Sequence, residues 1–242
     1  MIRAIRRASL KQILSLANYE FPSAIFQKGI LMLGGSTNLQ NKGDFFEGDL
    51  SGISAKKIPF WFKQRFYKPG RKIAKEKNWD KKLIEIARKA PHWDIAIVCG
   101  IPSWVQLMLE KVVEENKLKS IHDIWPNLSC YVTGGVAFEP YRKGLEKLFS
   151  KPVTYVDTYL ASEGFIAFQN NPLTSSMKLL VNNGIYFEFI PFDENNFDDN
   201  GDVIKNPKTI SISEVEEEKQ YAILLSTCAG AWRYLIGDVV KF

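Results

Sequence analysis

Apolar residues in this chain fall into two rhythms, and the change between them divides it. From Trp79 to Ala90 they recur at helical spacing, and the short apolar run Asp94 to Cys99 (DIAIVC) follows, closed by Gly100. Pro102 then suits the first turn of another helix. The unit repeats with the run Leu128 to Thr133 (LSCYVT), the turn Gly134-Gly135, a helix over about Pro140 to Phe149 and a further apolar run, Val153 to Thr158. Near-continuous apolar strands alternating with helices predict a parallel α/β sheet, which binds ligands beyond the carboxyl ends of its strands. Upstream the pattern predicts a helix over 3–18, a strand over Gly29 to Gly34 and a polar, Gly-rich loop from Asn38 to Ser54. From Gly164 onward the rhythm shortens. Strands are expected at Phe165 to Gln169, Met177 to Val181, Ile185 to Pro191, Tyr221 to Thr227 and Trp232 to Phe242, around an acidic, Asn-rich turn at Asp193 to Asp202. The fold class expected is therefore α/β, a mostly parallel sheet flanked by helices over 1–163, followed by a smaller β-rich subdomain over 164–242.

Composition narrows the functional classes. The chain has 242 residues, 45% hydrophobic, which suffices for a substantial core. Its net charge of +5 is dispersed and argues for no nucleic-acid partner. Arg3, Arg6, Arg7 and Lys11 lie on the first helix with Ile5, Leu10, Ile13, Leu14 and Leu16, a pattern shared by surface-binding amphipathic helices and by ordinary solvated ones. Cys99, Cys130 and Cys228 lie far apart and only two histidines accompany them, so neither a zinc site nor a disulfide framework is expected. A reducing cytoplasm is the expected compartment. No apolar run reaches bilayer length, and no membrane partner is expected.

Three segments carry candidate chemistry. Thr133-Gly134-Gly135-Val136 ends a strand where a flat ligand can approach the backbone, although paired glycines are also ordinary turns. Thr158-Tyr159-Leu160-Ala161-Ser162-Glu163-Gly164 offers an aromatic face for a base, a hydroxyl for a phosphate oxygen and a carboxylate for a magnesium ion. The plainer alternative makes Tyr159 core and Glu163 a solvated loop residue. In Arg233-Tyr234-Leu235-Ile236-Gly237-Asp238, the Asp238 carboxylate can accept from both ribose hydroxyls and Arg233 can meet phosphate; a Gly-Asp pair is equally a hairpin turn.

In this order the segments resemble the adenine-loop, tyrosine-to-glutamate and glycine-aspartate motifs of the adenylate-forming superfamily that includes firefly luciferase. The runs Gly48-Asp49-Leu50-Ser51-Gly52-Ile53, Gly100-Ile101-Pro102-Ser103-Trp104, Ile124-Trp125-Pro126-Asn127-Leu128, Gly134-Gly135-Val136 and Arg233 to Val240 are similar to one branch, the auxin-responsive (Gretchen Hagen) acyl-acid amido synthetases, particularly bacterial members. The resemblance implies ATP and Mg2+ as cofactors, and small-molecule partners: a carboxylic acid and an amine or amino acid. The acid is adenylated, and the acyl group then passes to the amine. It also implies that Gly134 and Gly135 line the adenine pocket, Tyr159 stacks on the base, Ser162 contacts the α-phosphate, Glu163 binds magnesium, Asp238 holds the ribose and Arg233 assists nucleotide binding. Ser162 and Glu163 are the catalytic candidates. Trp104 is a candidate acyl-pocket wall, with a plain core role as the alternative.

Two features depart from the family pattern. No Ser/Thr/Gly-rich phosphate loop is evident; Gly34-Gly35-Ser36-Thr37 with Lys42 downstream imitates one but lacks its spacing. The chain also ends just after the ribose motif, before the domain whose lysine assists adenylation in the family. The expectation is thus a central, catalytically incomplete fragment. A thioester-forming ligase relative and a non-catalytic nucleotide-binding remnant are the alternatives.

Overall fold

The computed structural model describes residues 2–38, 40–44, 46–48, 50–56 and 58–242. In chain order the helices are α1 (Ile2–Ser15), α2 (Leu50–Lys56), α3 (Phe60–Arg65), α4 (Arg71–Ala74), α5 (Trp79–Lys89), α6 (Pro102–Glu115) and α7 (Glu139–Glu146). The first seven strands are β1 (Gly29–Met32), β2 (Gln40–Asn41), β3 (Phe46–Glu47), β4 (Tyr67–Lys68), β5 (Ile95–Cys99), β6 (Cys130–Gly134) and β7 (Thr154–Ala161). They are followed by β8 (Gly164–Phe168), β9 (Lys178–Leu179), β10 (Ile185–Pro191), β11 (Gln220–Thr227) and β12 (Tyr234–Lys241). The chain separates into a larger compact unit, residues 10–160 and 167–178, and a smaller one, residues 1–9, 161–166 and 179–242.

The larger unit is built on a parallel sheet. Its strands run β4-β1-β5-β6-β7, every neighbouring pair parallel. The register places Leu31, Val98, Tyr131 and Tyr155 in one row across the four strands from β1 to β7. This row belongs to the main core, closed by Ile86 of α5, Val105 and Leu109 of α6, and Leu145 of α7. Ile97, Cys130 and Val156 face the other way, where Leu16, Tyr19 and Ile25 cover them. Burial on both faces explains why β5 reads as an unbroken apolar run.

Helix ends match their sequence signals. Asn78 caps α5 by accepting the Lys81 N–H at 2.9 Å, and Pro102 opens α6. The tryptophan of the 124–128 run is core. Trp125 is fully buried and donates its indole N–H to the Ala90 carbonyl at 2.9 Å. Burial pushes the Cys99 thiol up to about 12, so it is protonated at neutral pH.

The structure adds local elements to the sequence expectation. Within the stretch expected as a loop from Asn38 to Ser54, β2 and β3 pair antiparallel and α2 begins at Leu50. Asp49, in the Gly48 to Ile53 run, lies outside the described residues. Between residues 58 and 78, β4 adds an edge strand beside β1. On α1 the buried residues are Ile5, Ala8 and Gln12, whereas Leu10, Ile13 and Leu14 are exposed. No helix among the described residues is long and apolar enough to cross a membrane.

In the smaller unit β10, β11 and β12 form an antiparallel sheet. The β10 run IYFEFIP buries Ile185, Phe187 and Phe189 and exposes Tyr186, as a strand with one covered face should. Phe189 meets Tyr221 and Phe242 edge to face at 6.2 and 5.2 Å.

His122 ties the segment before β6 to the end of α7. Its Nε2 donates to the Leu128 carbonyl at 2.9 Å, and its Nδ1 accepts the Ser150 N–H at 3.2 Å, which requires a neutral ring. Burial, the main cause, holds its pKa below the ordinary histidine value. The unfolded chain therefore takes up the proton first, so this residue's contribution is complete above about pH 6.5 and is lost as pH falls below it. Urea unfolding at pH 7.5 and 5.5 should show the wild type losing more stability on acidification than His122→Gln; equal losses would remove histidine as the source.

Candidate functional site

At the carboxyl ends of β5 and β6 the neighbouring backbone comes so close that side chains are excluded. At Gly100 a Cβ would lie 2.7 Å from the Leu33 carbonyl oxygen, and at Gly134 it would lie 2.5 Å from the Thr158 carbonyl oxygen. Gly135 has φ +88°, the left-handed region open to glycine, and turns the chain toward α7. Backbone packing alone therefore accounts for this glycine pair, and it also leaves the ends of β5 and β6 bare of side chains.

Gly134 pairs in register with Thr158, so the next residue, Tyr159, sits directly beside the glycine turn. β7 continues to Ala161, which puts Tyr159 on a strand rather than in a loop. Tyr155, Asp157 and Tyr159 alternate onto one side of β7. Thr158 points the other way and accepts the Gln12 amide N–H at 2.5 Å. Trp104, in the first turn of α6, packs on Trp79 with ring centroids 4.9 Å apart, at the margin of the main core.

Beside Asp157 in register is Thr133. Its Oγ1 is buried with no partner at hydrogen-bond geometry among the described residues; the neighbouring Tyr131 hydroxyl donates to the Gly100 carbonyl at 3.0 Å. Three donors of the loop at Gly34 to Thr37 are engaged. Gly35 N–H bonds to Ser51 Oγ at 3.0 Å, Thr37 N–H to the Ala74 carbonyl at 2.9 Å and Ser36 Oγ–H to the Lys75 carbonyl at 2.9 Å. These contacts fit a structural turn and not a phosphate cradle.

The remaining candidates belong to the smaller unit. Ser162 and Glu163 form the two-residue turn between β7 and β8; Ser162 is exposed, and Glu163 borders a void of about 10 Å³ with Asn183 and Thr227. Arg233, with φ +44°, donates through Nε to Glu188 Oε2 at 3.2 Å and through a terminal nitrogen to Thr209 Oγ1 at 3.2 Å. A phosphate would have to compete with Glu188 for it. Gly237 and Asp238 do not form a hairpin turn. They lie inside β12 at a bulge, where Leu235 to Val239 passes opposite only Ala222 to Leu224, and Gly237 has φ +88°. The bulge leaves Asp238 exposed. Sequence reasoning found none of Asp157, Tyr155 and Arg142, because their proximity arises from β7 meeting α7.

Residues 178–242, which include Arg233 and Asp238, match the family model described as the GH3 family central domain. Over those residues the chain resembles the GH3 family. It is 32% identical over 128 residues to a probable indole-3-acetic acid-amido synthetase, GH3.6, of Oryza sativa subsp. japonica, covering 50% of this chain and 25% of that protein. It is also 32% identical over 136 residues to indole-3-acetic acid-amido synthetase GH3.17 of Arabidopsis thaliana, covering 49% of this chain and 22% of that protein. The matched region thus spans about a quarter of the length of these GH3 relatives. Among solved structures, the GH3.15 acyl acid amido synthetase superposes with a TM-score of 0.69 at 13% identity over 98% of this chain and 50% of its own. A 2-hydroxyisobutyryl-CoA ligase superposes with a TM-score of 0.57 at 13% identity over 99% of this chain and 47% of its own. At such identity the likeness concerns the fold alone.

Two substitutions test the strand-end geometry. Gly134→Ala must displace β7 and should destabilise the chain by about 1–3 kcal/mol. Thr133→Val removes an unsatisfied buried hydroxyl, whose burial costs about 1–3 kcal/mol, and should raise Tm. Thermal unfolding of both variants checks this; a stable Gly134→Ala chain would mean that the strand ends are loosely packed.

Proposed function

We propose that this chain is part of an acyl-acid amido synthetase, a ligase that adenylates a carboxylic acid with ATP and transfers the acyl group to an amine, as the names of its relatives suggest. The observation that carries the proposal is the GH3 central-domain match, whose span contains the Arg233 to Asp238 motif. The glycine turn beside Tyr159 supports it, because a bare strand end next to an aromatic ring fits a flat base.

Tyr159 would stack on adenine against Gly134 and Gly135. Asp238, exposed at its bulge, would hold the ribose hydroxyls. Ser162 would contact the α-phosphate, and Arg233 would assist if it exchanged Glu188 for phosphate. Glu163 would ligate Mg2+, which supplies charge neutralisation when bound to the nucleotide. The residues present fit a nucleotide in donor and acceptor chemistry. Catalysis in such a reaction is mainly orientation and stabilisation of charge on the transferring group. The acid's wall includes Trp104 in this reading, and the setting is cytoplasmic. The functional division at 163/164, with the nucleotide subdomain before it, belongs to the same proposal. A second reading, thioester formation, rests on the fold shared with the 2-hydroxyisobutyryl-CoA ligase.

Equilibrium dialysis of labelled MgATP against the chain tests the nucleotide site. Tyr159→Ala should weaken binding by about 1–3 kcal/mol, the scale of one aromatic stack on a base. Asp238→Ala should cost about 1.5–3 kcal/mol through lost charged hydrogen bonds. ATP affinity unchanged in both variants would overturn the assignment. Where acid-dependent ATP–pyrophosphate exchange is measurable, AMP release driven by an amine rather than a thiol separates amide from thioester formation.

A further inference from the structure

Below the strand ends, a cleft of about 710 Å³ opens between α7, β7 and the loop over residues 170–175, entirely within the larger unit. It contains none of the residues assigned to the nucleotide. Its volume is within the usual range of small-molecule sites. Phe138, Phe149 and Tyr155 give it aromatic surface, with Phe138 and Tyr155 rings 4.4 Å apart. Arg142 lies over both of these rings at 4.9 Å. Its charge is already shared, Nε being 2.9 Å from Glu139 and a terminal nitrogen 3.8 Å from Glu146.

Asp157 also lines the cleft, and its carboxylate has no hydrogen bond or ion pair among the described residues. Burial raises its pKa, with Arg142 opposing and Glu139 reinforcing the shift. Lys151, the other cation on the wall, donates to the Pro126 carbonyl at 3.0 Å. Of the charged residues that line this aromatic cavity, Arg142, Glu146 and Lys151 are thus engaged with protein groups, which leaves Asp157 as the lining carboxylate without a partner among the described residues. The facing wall is held in place: Gln169 accepts the Asp157 N–H at 3.2 Å and donates to the Thr174 carbonyl at 2.6 Å.

We propose that this cleft binds a small primary ammonium compound with an aromatic or apolar body, its charge paired with Asp157 and its body lying on Phe138 and Tyr155. The pairing offsets the cost of a half-buried, unpartnered carboxylate, and the rings add cation–π attraction. The site is independent of the adenylation reading, and its test contains neither ATP nor acid.

The probe is 2-phenylethylammonium, titrated into the whole chain at pH 7 by calorimetry and by NMR of the Gln169 side-chain amide. Saturable binding at least tenfold tighter than that of uncharged 2-phenylethanol, with the Gln169 signal shifted, is the expected result. Asp157→Asn should bring the ammonium down to the affinity of the alcohol while leaving the alcohol unaffected. If Asp157→Asn fails to fold, the comparison of ammonium with alcohol on the wild-type chain decides. Equal affinity of the two probes, absence of saturation, or insensitivity to Asp157→Asn overturns the proposal. Adenosine shifting Gln169 where the ammonium does not would also overturn it and return the cleft to the nucleotide.

Discussion

The larger unit depends on how closely its parallel strands end. Where β6 meets β7, a single methyl group at Gly134 would be forced onto the Thr158 carbonyl oxygen at 2.5 Å, and Gly100 is similarly confined against Leu33. These approaches let the ladder continue to the ends of β5, β6 and β7 and put Tyr159 beside a turn without side chains. The row Leu31, Val98, Tyr131 and Tyr155 follows from the same register and carries the packing of α5, α6 and α7. Site geometry and core packing are therefore two consequences of one alignment.

That alignment also concentrates polar groups on one side of the sheet. Thr133 and Asp157 become neighbours because their strands pair there, and Arg142 reaches the rings of Phe138 and Tyr155 because α7 returns across β7. In a low-dielectric setting an unsatisfied hydroxyl and an unpaired carboxylate are costly. Their persistence beside an aromatic cleft is the physical reason to seek a ligand there. Arg233, by contrast, has its partners within the small sheet, so any nucleotide role for it competes with Glu188.

The smaller unit solves a different problem with a bulge. Had Gly237 and Asp238 closed a hairpin, the carboxylate would sit at a turn tip; within β12 it is held on a strand whose flanking residues remain paired with β11. A strand displays a side chain with less conformational freedom than a loop, which suits a residue proposed to hold two hydroxyls at once.

The sequence by itself determined the alternation of buried strands and helices from Trp79 to Thr158, because unbroken apolar runs and helical periodicity are local signals. It also determined the change to short strands after Gly164, and the motif order from Gly134 to Asp238 on which the family resemblance rests. Tertiary structure alone decided what these signals leave open. The edge strand Tyr67–Lys68 is too short to announce itself and exists because β1 offers it a partner. Trp104 and Trp125 look alike as exposed or buried candidates until Trp79 and the Ala90 carbonyl are brought to them. The bulge at Gly237 and the pairing of Thr133 with Asp157 are matters of register, which is set by packing between distant segments and leaves no mark in either segment alone.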